Sequence, residues 1–151
     1  MYFYNLIKDF KEELIIFVDM DGVITDYDFG NKLDFKNKRP LTTNIKTLKK
    51  ISELKKVELY ILSICKKNIE IKEKNIWLDE NAPYFKKENR IIISKEKEKN
   101  ESSKYLKYKY LKEYTKEKKK IIVIDDDNEI LKYLHNNLKE IVLFQDSSLI
   151  D

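Results

Sequence analysis

Two aspartates one residue apart, Asp19 and Asp21, follow directly on the apolar run Leu14-Ile15-Ile16-Phe17-Val18. Carboxylates fed from the end of a buried strand cannot both be hydrated cheaply, and a divalent cation would offset their repulsion. Gly22 comes next, followed by Val23-Ile24-Thr25-Asp26. Aspartate and glycine also make ordinary turns. A turn alone, however, does not call for an isoleucine-rich strand leading into a D-x-D-G-V-x-x-D run. A calcium loop fits poorly, because its glycine belongs at the sixth position and Gly22 follows Asp19 by three. A second acidic cluster, Asp125-Asp126-Asp127, ends the run Ile121-Ile122-Val123-Ile124, and Ser63 ends Leu59-Tyr60-Ile61-Leu62.

These residues need elements that bring them together. Leu14 to Val18, Val57 to Leu62, Arg90 to Ile93, Ile121 to Ile124 and Ile141 to Phe144 are short, continuous apolar runs rich in isoleucine and valine. Unbroken apolarity of that length predicts strands buried on both faces. Between the runs, Ile45, Leu48, Ile51 and Leu54 recur near helical spacing after Thr42 and Thr43, which can cap a helix. Tyr105, Leu106, Leu111 and Tyr114 among lysines mark another helix, and Ile130, Leu131, Leu134 and Leu138 a third. A leading helix and then alternating strands and helices predict an α/β fold: a five-stranded parallel sheet with helices on both faces. Ligands of such sheets bind beyond the carboxyl ends of the strands, where Asp19, Asp21, Ser63 and Asp125–Asp127 lie. The tract from Lys95 to Ser103 is low in complexity and reads as a solvated loop, with Ser102 or Ser103 capping the next helix.

The segment Phe17-Val18-Asp19-Met20-Asp21-Gly22-Val23-Ile24-Thr25-Asp26 resembles the first motif of the haloacid dehalogenase (HAD) superfamily of phosphohydrolases. Leu59 to Ser63 is similar to its second motif, and Ile121 to Asp126 to its fourth. Order and spacing fit from residue 14 to residue 144. The resemblance implies a three-layer Rossmann-like domain over residues 1–151 and a magnesium-dependent phosphomonoester hydrolase. Asp19 would be the nucleophile, forming an aspartyl phosphate. Asp21 would protonate the leaving oxygen and then accept a proton from the hydrolytic water. Magnesium would bind Asp19, the Asp21 backbone carbonyl and Asp126, with Asp125 the alternative ligand. Ser63 would donate a hydrogen bond to the phosphoryl group.

Positive charge must also face the phosphoryl oxygens. With 29 lysines, composition cannot select the residue. Lys104, opening the helix before the fourth-motif strand, is the expected one, and Lys95, directly after Ser94, the alternative. Lys74-Asn75-Ile76-Trp77-Leu78 is similar to a Lys-x-x-Trp stretch in 5'-nucleotidase and 5'(3')-deoxyribonucleotidase-like members, which also carry a D-M-D-G-V motif. Trp77 itself is expected in the core and His135 on an exposed or boundary helix face; Cys65, with no basic partner evident, receives no catalytic role. Where those relatives carry a helical cap, this chain has only about fourteen residues, Tyr27 to Pro40, so the cap is minimal or absent. Tyr27, Phe29 and Phe35 can form a small flap there.

Composition narrows the remaining classes. The chain has 151 residues, a formal charge of +4 and two arginines among 31 basic residues. That length suits one domain able to bury roughly two-thirds of its unfolded surface. The lysine-rich, alanine-poor balance reads as coding bias. Interspersed charges of both signs read as a solvated surface rather than a nucleic-acid footprint. Two glycines exclude a dinucleotide-binding glycine loop or a P-loop. A lone cysteine, no apolar run long enough for a membrane span and no secretion leader predict a cytoplasmic protein. The expected partner is a small phosphorylated substrate such as a nucleotide. A polynucleotide end or a sugar phosphate is the rival within the same chemistry, and an idle binding module of the same fold the rival outside it.

Overall fold

The structure is a computed structural model describing residues 2–27, 34–99 and 101–150. Helices and strands alternate throughout: α1 (Tyr2–Asp9), β1 (Leu14–Val18), α2 (Thr42–Ser52), β2 (Val57–Cys65), α3 (Ile69–Asn81), β3 (Arg90–Ser94), α4 (Ser103–Tyr114), β4 (Lys120–Asp125), α5 (Asn128–Asn137) and β5 (Val142–Gln145). All five strands are parallel in one sheet, in the order β3-β2-β1-β4-β5. Among the described residues, no helix is long and apolar enough to cross a membrane.

The period of two along each strand splits the core into layers. Leu14, Ile16 and Val18 of β1, Leu59 and Ile61 of β2 and Ile122 and Ile124 of β4 pack with Phe3 and Ile7 of α1, Leu48 and Ile51 of α2 and Trp77 and Leu78 of α3. The alternate residues Ile15, Phe17, Leu62, Ile121 and Val123 face Leu111 of α4 and Ile130 and Leu134 of α5. With helices on both faces, every strand position of β1 is buried. That accounts for the unbroken apolar runs: neither face of the central strand meets water.

Several boundaries differ from the sequence expectation. β2 continues through Ser63 to Cys65, because β3 starts only opposite Ile61 and pairs Ser63 with Ile92 and Cys65 with Ser94. Ser63 therefore lies inside a strand rather than at its end. Thr42 and Thr43 are the first helical residues of α2; Leu41 occupies the cap position, and no side chain caps it. Ser102 does stand at the cap of α4, but its side chain makes no capping bond. Asp127 does cap α5, its carboxylate accepting from the Glu129 and Ile130 amides at 2.8 and 3.4 Å. The third acid of the Asp125–Asp127 run is thus a helix cap, which stabilises such a terminus by about 1 kcal/mol.

Candidate active site

Register places the carboxylates. Val18 of β1 pairs with Ile124 of β4, so Asp19 and Asp125 leave the sheet at the same level, and the Asp19 amide donates to the Ile124 carbonyl at 3.0 Å. Asp126 follows at once. Oxygens of Asp19, Asp125 and Asp126 lie within 4.8 Å of one another. Gly22 makes this closeness possible: its φ is +79°, and a Cβ there would overlap the Asp126 carboxylate and the Tyr27 ring. The carboxylates open into a cavity of about 140 Å³, lined also by Asp21, Tyr27, Ser103 and Lys107.

Lys107 of α4 reaches the acidic cluster. Its ammonium donates to Asp125 at 2.7 Å and stands 3.1 Å from Asp19, with the lysine side chain only 2% exposed. Burial alone would lower its pKa, but the two carboxylates raise it above the ordinary lysine value. Burial pushes the Asp19 carboxyl up to about 7; Lys107 pulls it down, and Asp125 adds to the rise. Burial likewise lifts Asp126 to about 6, reinforced by Asp146.

Asp21 lives differently. One of its oxygens is 2.7 Å from Lys38 and the other 3.3 Å from Lys74. Burial works to raise its pKa, but Lys74 and Lys38 together hold it below the ordinary aspartate value. Lys74 is itself buried, donating to Ser63 Oγ at 2.6 Å and to the Ile64 carbonyl at 3.1 Å. Both ammonium groups stand over Phe35, at 4.7 Å for Lys38 and 5.0 Å for Lys74. Trp77 Nε1 donates to the Lys38 carbonyl at 2.9 Å, tying the loop to α3. The site therefore has an anion-rich half around Asp19 and a cation-rich half around Asp21.

The structure brings together Asp19, Asp21, Asp125 and Asp126, and it does not bring Lys104 to them. Lys104 lies one turn before Lys107 on α4, and its ammonium points instead to the Tyr133 ring. Lys95 is a half-exposed residue of the turn after β3. Ser63 is fully buried beneath Lys74 and is not among the residues lining the cavity. Of the expected flap, Tyr27 lines the cavity, Phe35 is buried edge-on against Trp77, and Phe29 lies outside the described residues. Trp77 is core, His135 is exposed, and Cys65 is a buried free thiol whose pKa burial raises.

Sequence reasoning passed over Lys107, and it noted Lys74 without giving it a role. Both carried the same signal. Each stands four residues before a fully buried leucine, Leu111 and Leu78, so each is a lysine on an apolar helical stripe. A buried lysine there needs a carboxylate, and the acids at the sheet edge supply it.

No protein-family model and no curated protein matches the chain. Solved chains share its fold, two of them from structures of one named complex. One, from a structure of the Pnkp1/Rnl/Hen1 complex, superposes with a TM-score of 0.65 and 15% identity over 91% of this chain and 47% of that one. The other, from a structure of the Pnkp1/Rnl/Hen1 RNA repair complex, gives 0.65 and 16% over 91% and 43%. The chain thus spans less than half the length of the solved chains it matches. At this identity the likeness speaks for the α/β fold.

Proposed function

We propose that this chain is a magnesium-dependent phosphomonoester hydrolase of the haloacid dehalogenase type, working through an aspartyl phosphate. One observation carries the reading: Asp19, Asp125 and Asp126 crowd one cavity, in which Lys107 contacts Asp19 and Asp125. Hard carboxylate oxygens, an excess of negative charge and room made by Gly22 fit a small dication. Asp19, Asp126 and the Asp21 backbone carbonyl would hold magnesium, which when bound would neutralise charge on the phosphoryl oxygens and let the substrate anion approach. Asp125 is already taken by Lys107 and by the Asp127 amide at 3.0 Å, which favours Asp126 as the ligand.

The chain's own groups do the rest. An Asp19 oxygen attacks phosphorus and the phosphorus–oxygen bond to the alcohol breaks; Asp21, which Lys74 and Lys38 hold ionised in the resting site, must first take up a proton with the substrate, and it passes that proton to the leaving alcohol. Asp21 then takes a proton from water as that water attacks phosphorus, releasing phosphate and restoring Asp19. Lys107, held by Asp125, places positive charge beside the nucleophile, and Lys74 and Lys38 position the Asp21 carboxyl. Lys107 takes the place the sequence reading gave to Lys104.

A strand-end phosphate is favoured over a free nucleotide as substrate. A solved chain with this fold comes from a structure of an RNA repair complex, which supports that preference. The test is phosphate release with magnesium from p-nitrophenyl phosphate, mononucleotides and end-phosphorylated oligonucleotides. Turnover lost in chelator and in Asp19→Asn is expected. Wild-type turnover by Asp19→Asn, or no release from any phosphomonoester, would overturn the assignment.

A further inference from the structure

Lys104 belongs to a second surface. Its ammonium stands 5.8 Å from the centre of the Tyr133 ring, and Lys112, about two turns further along α4, stands 5.8 Å from the centre of Tyr108. The rings are continuous between them: Tyr105 and Tyr108 are 6.2 Å apart and tilted, and Tyr108 and Tyr133 are 5.7 Å apart and nearly perpendicular. Tyr105 is 40% exposed; Tyr108 and Tyr133 are half-buried. Three phenol rings thus line the junction of α4 and α5, the outermost of them Tyr105, with Tyr108 also packed on the core; Lys104 and Lys112 flank them over about 12 Å of helix.

Charge on this strip is of one sign. Lys109 pairs with Glu98 and Lys116 with Glu113, whereas Lys104 and Lys112 have no carboxylate partner among the described residues. Residues 104 to 120 hold eight lysines against Glu113 and Glu117. α4 itself holds Lys104, Lys107, Lys109 and Lys112 against Glu113, and Lys107 is turned into the Asp19 cavity. The strip also begins at the rim of the Asp19 cavity: Ser103, next to Lys104, and Ile130, three residues before Tyr133, both line that cavity.

We infer that this strip binds single-stranded polynucleotide and leads the strand end to the cavity. Bases present flat π-faces that stack on tyrosine whatever their sequence, and the backbone presents the anions that the two lysines face. A duplex hides those faces, so the strip selects unpaired strands. Strand binding stands on the strip alone; delivery of a terminal phosphate to Asp19 rests on the phosphomonoesterase reading.

The experiment is fluorescence anisotropy of a labelled single-stranded 12-mer, as RNA and as DNA, with and without a terminal phosphate, against a blunt duplex of the same sequence. Tyr105→Ala, on an exposed ring, should weaken single-strand binding about tenfold. Lys104→Ala/Lys112→Ala should weaken it further and reduce the slope of log affinity against log salt by about 1.4. Both variants should hydrolyse p-nitrophenyl phosphate as the wild type does. No binding by the wild type at 50 mM salt, equal affinity for duplex and single strand, or wild-type affinity in both variants would overturn the inference. So would full competition by inorganic polyphosphate combined with no effect of Tyr105→Ala. Strand binding by a wild type that hydrolyses no phosphomonoester would support the strip and refute the phosphatase reading instead.

Discussion

Removing the ammonium of Lys107 while keeping the stem, as in Lys107→Met, tests the logic of the site at its most buried point. The wild-type group is 2% exposed and lies 2.7 Å from Asp125 and 3.1 Å from Asp19. At an effective dielectric of about 20, each contact is worth roughly 5–6 kcal/mol of attraction, most of it offset by the cost of burying the charges. Deleting one partner removes the attraction and leaves that cost, so the expected loss is about 3–5 kcal/mol. Against a total stability of about 5–15 kcal/mol, the variant still folds. Urea unfolding in chelator at pH 7.5 measures the loss. With a slope of about 1–3 kcal/mol per molar, the midpoint should fall by about 2 M. Lys104→Met, at a half-buried position with no carboxylate partner among the described residues, should cost less than about 1 kcal/mol. Adding Asp125→Asn to Lys107→Met removes a stranded carboxylate and should recover part of the loss, as should magnesium. A Lys107→Met loss below about 1 kcal/mol, or equal losses in the two lysine variants, would refute this account of the site.

Three other outcomes follow from the same geometry. The folded pKa of Asp19 lies above its unfolded value, so the folded chain holds the extra proton between about pH 4 and 7, and metal-free stability contributed by this group falls as pH rises through that window. The lift from 3.8 to about 7 corresponds to roughly 4 kcal/mol; denaturation curves in chelator should show Asp19→Asn gaining on wild type by up to that amount from pH 4 to pH 8, and parallel curves would disprove it. Gly22→Ala should cost about 1–2 kcal/mol for its left-handed backbone and, by displacing Asp126, weaken magnesium binding in calorimetry; unchanged affinity would show that Asp126 is not a ligand. Asp21→Asn should lose about 10²–10⁴-fold on sugar phosphates but still phosphorylate Asp19 from p-nitrophenyl phosphate, whose leaving group needs no proton; a burst in stopped-flow absorbance checks it.

What the sequence disclosed depended on how short-ranged its physics was. Strands buried on both faces announce themselves as runs such as Ile121–Ile124, and their order sufficed for the parallel sheet. Carboxylates placed by a strand end, Asp19 and Asp125, need only that strand to be found. Lys107 and Lys74 need helical phase as well: each side chain travels from a helix to a strand end, and three residues along α4 separate the cavity from the outer strip. Ser63 shows the converse failure. Its polar character suggested a strand terminus, but the pairing of β2 with β3, which no local pattern encodes, extends the strand past it.

The strand order has a consequence for how the molecule is made. β1 leaves the ribosome first among the strands yet lies in the middle of the sheet, with β2 on one side and β4 on the other. Early in synthesis it can pair only with β2, so one edge of the most apolar strand waits for residues 120–125. Exposed edges of that kind recruit foreign strands, which makes the interval before β4 arrives the most hazardous for the nascent chain. The same interval leaves the charged cluster incomplete, because Lys107 comes late on α4 and Asp125 and Asp126 come with the strand that closes the gap. Closure of the β1 edge and assembly of the charged cluster thus coincide, with β5 still to add the outer edge, and fragments cut short of β4 should be aggregation-prone and lack the cluster.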